Sequence, residues 1–89
     1  MASVRAEIDL IDVELVALLH RRFTAIRRAA DLKEKPSDSL VPWRVEQVLD
    51  NVRSAAVQAD FDVATAERIW RYMMSECIEL ERRLITARG

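Results

Sequence analysis

Residues 4–33 read VRAEIDLIDVELVALLHRRFTAIRRAADLK. One set of side chains in this stretch recurs every three or four residues, namely Val4, Ile8, Ile11, Leu15, Leu18, Arg22, Ile26, Ala29 and Lys33. This spacing, uninterrupted by glycine or proline, is typical of one face of an α-helix. Pro36 and the polar run that follows it end the pattern. The sequence therefore predicts a long first helix, from about Ser3 to Lys35.

The length of this helix predicts an oligomer. At about 1.5 Å per residue the helix measures roughly 48 Å. A compact domain of this size has a radius of gyration of only about 12 Å, so the helix extends beyond its own domain. Its apolar stripe needs a partner helix, and an antiparallel copy of the same helix is the simplest one. We expect an obligate, intertwined helical homodimer.

Two further helices are expected after the first. The second begins near Pro42, because proline suits a first helical turn, and ends near Ala59. The third follows Asp62, a favourable N-cap residue, and runs to about Ala87. Its apolar stripe also carries an acid: the stripe residues are Ala66, Ile69, Trp70, Met73, Cys77, Leu80, Glu81 and Leu84. With glycine only at the last position, the chain is predicted to be all-α, with three helices in one domain spanning residues 1–89.

Composition excludes several classes of function. Fourteen basic and fifteen acidic residues leave no net charge to attract nucleic acid or an anionic membrane. One cysteine, Cys77, and one histidine, His20, cannot supply a zinc site. Acidic residues such as Asp9 interrupt the apolar N-terminal stretch, which argues against a signal peptide. We expect a cytoplasmic protein with no metal, no cofactor and no membrane or nucleic-acid partner.

Two cations break the apolar stripe of the first helix. Arg22 and Lys33 are eleven residues apart, which places them about 20° apart around the axis and roughly 16 Å apart along it. Both can converge on one anionic ligand. Arg5 is expected on the same face but roughly 25 Å before Arg22, so it can reach only the site of an antiparallel partner. Buried cations need a counter-charge, either a bound dianion or Glu81, unless their stems extend to solvent.

Four other residues can be interpreted from their types and positions. Arg44, at the start of the second helix, can hold a carboxylate with two hydrogen bonds or form a surface salt bridge. Trp43 and Trp70 suit the core better than an exposed stacking surface. Cys77 has the character of a small buried hydrophobe.

The chain resembles the all-helical chorismate mutases. The resemblance rests on residues 4–12, on Leu15, Leu18, Leu19, Arg22 and Lys33, on Arg44 with Val48 and Leu49, and on residues 70–77. It covers nearly the whole chain. The resemblance implies a homodimer with two identical sites, each built from both chains and each binding a small dianionic substrate such as chorismate.

The resemblance also implies roles for individual residues. Arg22 and Arg44 of one chain would hold the two substrate carboxylates, and Arg5 would reach in from the other chain. Lys33 would hydrogen-bond the ether oxygen of the breaking C–O bond, and Glu81 would bond the same oxygen from the other side. Conversion of chorismate to prephenate is a pericyclic rearrangement that needs no nucleophile. Catalysis would come from holding the reactive conformer and from placing donors where charge develops.

Two departures from the family pattern leave other reactions open. Many of these mutases have a glutamate after the second helix's arginine, where this chain has Val45, which would line the substrate pocket with Cys77. Residues 42–45 look more like those of isochorismate pyruvate lyases, which make salicylate and pyruvate, although those enzymes have a glutamine at the position of Glu81. The amino analogue 4-amino-4-deoxychorismate is a further possible substrate. A non-catalytic helical dimerisation module is the third alternative, and the cations on the stripe argue against it.

Overall fold

The computed structural model describes residues 1–32 and 42–88. This part of the chain forms three helices and no strand: α1 is Ala2–Asp31, α2 is Pro42–Gln58 and α3 is Val63–Arg88. The predicted all-α fold with three helices is confirmed.

The predicted ends of α2 and α3 lie within one residue of those observed. The first helix is shorter than predicted, because α1 ends at Asp31 and Leu32 is in a turn. The expected end, Lys35, lies outside the described residues, as do Lys33 and Pro36.

The turn between α2 and α3 uses an aspartate where many proteins use glycine. The backbone N–H of Phe61 donates to the carbonyl of Ala56 at 2.9 Å, and that of Asp60 donates to the carbonyl of Val57 at 3.2 Å. These two bonds close the end of α2 and place Asp60 in the left-handed region, with φ 55°. Aspartate tolerates this region better than most residues, because its short polar side chain can hydrogen-bond locally.

Asp62 caps α3, as predicted. Its Oδ2 accepts a hydrogen bond from the backbone N–H of Thr65 at 2.9 Å and another from the Thr65 hydroxyl at 2.6 Å. These bonds, to the side chain and the backbone of Thr65, lower the pKa of the Asp62 carboxyl because they favour its ionised form. The residues around Asp62 were therefore enough to predict where α3 begins.

Helix α3 lies at the centre of the fold. Both α1 and α2 pack against it. The buried side chains come from α2 and α3 and are Leu49, Ala56, Ala66, Met73, Met74, Cys77 and Glu81. The prediction that Trp43 belongs to the core is wrong for the single chain, because this side chain projects from the start of α2 and is 69% exposed.

An ionic network fixes α2 on α3. The Nε of Arg53 on α2 donates to Oε1 of Glu67 on α3 at 2.6 Å, and its Nη1 donates to Oδ1 of Asp50 at 2.9 Å. The Nε of Arg71 reaches the other Glu67 oxygen at 3.4 Å. The bond from Arg53 is the main reason that the pKa of Glu67 is lowered.

Helix α1 projects beyond the rest of the molecule. The described chain measures 51 × 25 × 15 Å, and its radius of gyration of 15.6 Å exceeds the value of about 12 Å for a compact domain of this length. Near the end of α1, Arg22, Ile26 and Ala29 are half-buried. The earlier part of the same face is exposed; it comprises Val4, Ile8, Ile11, Leu15 and Leu18, and we call it the stripe. No helix in the described ranges is both long and apolar enough to cross a membrane.

Candidate functional site

The most informative side-chain contact joins α1 to α3. The Nη1 of Arg22 donates a hydrogen bond to Sγ of Cys77 at 3.1 Å, and the two residues are 55 positions apart in the sequence. Arg22 is half-buried and Cys77 is only 4% exposed. Arg22 lies on the same face of α1 as the stripe, one turn further along. Its guanidinium therefore enters the junction between the two helices and does not extend to solvent.

The surroundings of Cys77 oppose its ionisation. Burial raises the pKa of the Cys77 thiol most strongly, and the negative charges of Glu81 and Glu76 raise it further. The positive charge of Arg22 and its hydrogen bond act in the opposite direction, but the net pKa is raised. Cys77 is therefore a neutral thiol near neutral pH. It has the character of a buried hydrophobe, as expected, but it also accepts a hydrogen bond from a cation.

Glu81 lies one helical turn after Cys77 on α3 and is only 5% exposed. A carboxyl group at this depth requires hydrogen-bonded or charged neighbours, because an isolated buried charge is costly. The negative charge of Glu81 acts on the Cys77 thiol, which also accepts the hydrogen bond from Arg22. We call Arg22, Cys77 and Glu81 the junction cluster.

Of the other candidate residues, those in the described part of the chain do not join this cluster. Arg44 is exposed at the start of α2, where its Nη1 donates to Oε1 of Gln47 at 2.7 Å, so its described partner is an amide rather than the carboxylate of a salt bridge. Val45 is half-buried. Arg5 is exposed near the start of α1. Lys33 lies outside the described residues.

The position of Arg5 differs from the expectation in one respect. On a straight α-helix, the seventeen residues between Arg5 and Arg22 place the two side chains about 100° apart around the axis. Arg5 therefore lies at the edge of the stripe and not on the same face as Arg22. An edge position still suits contact with a helix packed on the stripe, because side chains at the edge reach around the partner.

The chemistry of the junction cluster suits anion recognition rather than metal binding. A half-buried guanidinium offers several N–H donors in a rigid planar arrangement that matches a carboxylate. Across residues 1–32 and 42–88, no group of three or more histidine, cysteine, aspartate or glutamate side chains is arranged to hold a metal ion. Reactivity of the thiol is disfavoured by its raised pKa.

Two contacts that shape the site were missed from the sequence. One is the bond between Arg22 and Cys77, although both residues lie on apolar stripes that face each other in the fold. The other is the ion pair between Arg53 and Glu67, which sets the position of α2 and hence of Arg44. No local spacing rule pairs residues on different helices, so neither contact had a strong sequence signal.

Comparison with known families gives one clear result. The family model for chorismate mutase type II matches residues 4–82, which include every candidate site residue. Comparisons with curated proteins and with solved structures gave no significant match. Because the family match runs through all three helices and leaves out only the two ends, the chain belongs to the chorismate mutase type II family.

Proposed function

We propose that this protein is a chorismate mutase that rearranges chorismate, or its 4-amino-4-deoxy analogue, to the corresponding prephenate. The observation that carries the proposal is the half-buried Arg22 guanidinium at the junction of α1 and α3, in a chain of this family. A cation held between two helices is ready to bind a carboxylate without a large conformational cost.

The proposed enzyme is a homodimer joined through the stripe. If the stripes of two α1 helices pack antiparallel about their common centre, Ile8 of one lies opposite Leu18 of the other, and Ile11 lies opposite Leu15. The same register places Val4 and Arg5 beside the partner's Arg22. Each site would then contain Arg22 from one chain and Arg5 from the other. Pairing would also cover the apolar side chains of the stripe, which are 45–52% exposed in the single chain.

The proposed mechanism is electrostatic and conformational. One C–O bond breaks while one C–C bond forms, so the product has the same atoms as the substrate and no group is transferred to the protein. Arg22, Arg44 and the partner's Arg5 would hold the two carboxylates, which fixes the compact conformer in which the bonding carbons are close. Lys33 would donate to the ether oxygen as negative charge develops there.

Glu81 would act as the second donor to the ether oxygen. An ionised carboxylate has no proton to donate, so Glu81 must carry a proton in the reacting complex. The buried position of Glu81, one helical turn after Cys77 on α3, supports this role.

One observation favours a second candidate, isochorismate pyruvate lyase. Val45 follows Arg44 and is half-buried, so no carboxylate stands at that position to bind a ring hydroxyl. The lyase would use the same cations to hold isochorismate while the C–O bond to the enolpyruvyl group breaks and a ring hydrogen moves to its methylene carbon, which gives salicylate and pyruvate.

The two candidates are separated by identifying products. The purified protein is incubated with chorismate and, separately, with isochorismate, and products are analysed by mass spectrometry. We expect prephenate from chorismate. Salicylate and pyruvate from isochorismate, with no reaction of chorismate, would replace the mutase by the lyase. No reaction with either substrate or with 4-amino-4-deoxychorismate would contradict both and favour a non-catalytic dimerisation module.

A further inference from the structure

Helix α1 carries a second row of residues on the side opposite the stripe. Each stripe residue is followed two positions later by a member of this row, which consists of Ala6, Leu10, Val13, Ala17 and His20. Two residues rotate about 200° around a helix, so the second row lies almost diametrically opposite the stripe. We call this row the outer seam. Its spacing of four, three, four and three residues is that of a coiled-coil seam.

The outer seam faces away from the body of the fold. The side of α1 that packs on α3 is the stripe side, as the contact of Arg22 with Cys77 establishes. All five residues of the seam are exposed, and its two large apolar members, Leu10 and Val13, are 67% and 68% exposed. Burial of the stripe in the proposed dimer leaves this opposite side uncovered.

Charged residues along one edge of the outer seam follow a seven-residue repeat. Glu7 and Glu14 come first, and Arg21 and Arg28 follow. All four side chains are exposed, and none forms an ion pair with the described residues of its own chain. The edge is therefore acidic in the first half of α1 and basic in the second half.

This arrangement of charge is self-complementary in one orientation. When two seams pack antiparallel, the same edge of each helix faces the other. One register then places Glu7 opposite the second copy's Arg28 and Glu14 opposite its Arg21, and symmetry repeats both pairs.

A parallel pair lacks this match. In a parallel pair each edge faces the opposite edge of the partner. That opposite edge carries Asp9, Val16 and Phe23, which offer no positive charge to the two glutamates.

We propose that the outer seam docks antiparallel onto the outer seam of a second copy, and so joins one dimer to another. The inference rests on the proposed dimer, because it takes the stripe to be buried there. In the register of the charge pairs, Ala17 would lie opposite the second copy's His20, where the small alanine allows a close approach. Val13 would lie opposite the second copy's Thr24 and Leu10 opposite its Arg27, so the apolar contact is with a methyl group and an aliphatic stem. Since the apolar area is small, the association between dimers is weak and depends on concentration and on salt.

The test is a charge-swap series measured by analytical ultracentrifugation from micromolar to millimolar protein at low salt. Wild type is expected to form species larger than the dimer at high concentration. Glu14→Arg and Arg21→Glu each replace two attractive pairs with two repulsive ones, and should weaken this association roughly tenfold. The double variant Glu14→Arg/Arg21→Glu restores opposite charges and should associate like wild type. Glu79→Arg, an exposed charge on α3, is the matched control and should change nothing.

Each other outcome overturns the inference. The inference is wrong if wild type stays dimeric at every concentration. It is also wrong if the single variants associate as wild type does, or if the double variant does not regain wild-type association. Circular dichroism of every variant checks that it folds. If Glu14→Arg or Arg21→Glu dissociates the dimer itself, the seam belongs to the dimer interface. Chorismate turnover is assayed separately. A protein that proves inactive on chorismate would contradict the proposed function without changing the result of the sedimentation experiment.

Discussion

Arg22 and Cys77 join the long first helix to the central third helix through a 3.1 Å hydrogen bond from a guanidinium to a buried thiol. The bond gives Arg22 a fixed direction before any ligand binds. Burial raises the pKa of the Cys77 thiol in the folded chain and outweighs the opposing effect of Arg22, so the protonation of Cys77 is coupled to folding.

This coupling predicts a loss of stability at alkaline pH. The pKa of Cys77 is higher in the folded chain than in the unfolded chain, so the unfolded thiol ionises first as pH rises. The contribution is complete below about pH 8.5 and is lost as pH rises towards the folded pKa. Urea unfolding of wild type and Cys77→Ser should therefore diverge only above about pH 8.5, with the wild type declining more steeply. Parallel curves would show that the thiol environment differs from that described.

The lowered pKa of Glu67 predicts a loss of stability at low pH. Its pKa is lowered in the folded chain, chiefly by the hydrogen bond from Arg53, so its contribution is present above the ordinary glutamate pKa and is lost as pH falls through the folded value. Glu67→Gln should be less stable than wild type at neutral pH and should lose part of the acid-dependent slope. Thermal unfolding between about pH 2 and 7 measures both effects. Glu79→Gln on the exposed surface of α3 is the control.

Asp60 predicts a stabilising substitution. Its φ of 55° lies in the left-handed region, where glycine avoids the contact between Cβ and the backbone. Asp60→Gly should raise the unfolding free energy by about 0.5–1 kcal/mol. Asp60→Ala keeps the Cβ and should bring no gain. A glycine variant that is less stable than wild type would mean that the aspartate side chain contributes more than backbone relief.

Arg5 and Arg22 predict complementation between chains. If Arg5 serves the partner's site, Arg5→Ala and Arg22→Ala are each nearly inactive as homodimers. A mixed dimer carries both lesions in one site and leaves the other site intact. Co-refolding the two variants should therefore restore part of the activity. Heterodimers that are shown to be present but remain inactive would assign both arginines to one chain's site.

The proposed role of Glu81 predicts that the rearrangement needs a hydrogen-bond donor at this position. Glu81→Gln keeps a donor of the same shape and should retain activity. Glu81→Ala should lose roughly 10²–10³-fold, as when one oxyanion donor is removed. If Glu81→Gln is as inactive as Glu81→Ala in the same turnover assay, the carboxylate itself is required, and Glu81 is a structural counter-ion for the neighbouring cations.

Local rules accounted for most of the fold. Spacing of three and four residues predicted the helices, Pro42 predicted the start of α2, and Asp62 predicted the start of α3. These features depend on contacts within a few residues, so the sequence contains them directly. The position of Arg22 on an apolar stripe was also enough to mark it as a candidate anion-binding residue before its surroundings were known.

Only the tertiary structure decided which side chains meet. The packing of both other helices on α3 exposed Trp43, aimed Arg22 at Cys77 and paired Arg53 with Glu67. It also placed Asp60 in the left-handed region, because the turn from α2 into α3 requires that conformation at this position. The physical reason is the same in each case. The direction of a side chain follows from its own helix, but its partner is set by how two helices are rotated and shifted against each other, and residue spacing within one helix carries no information about that.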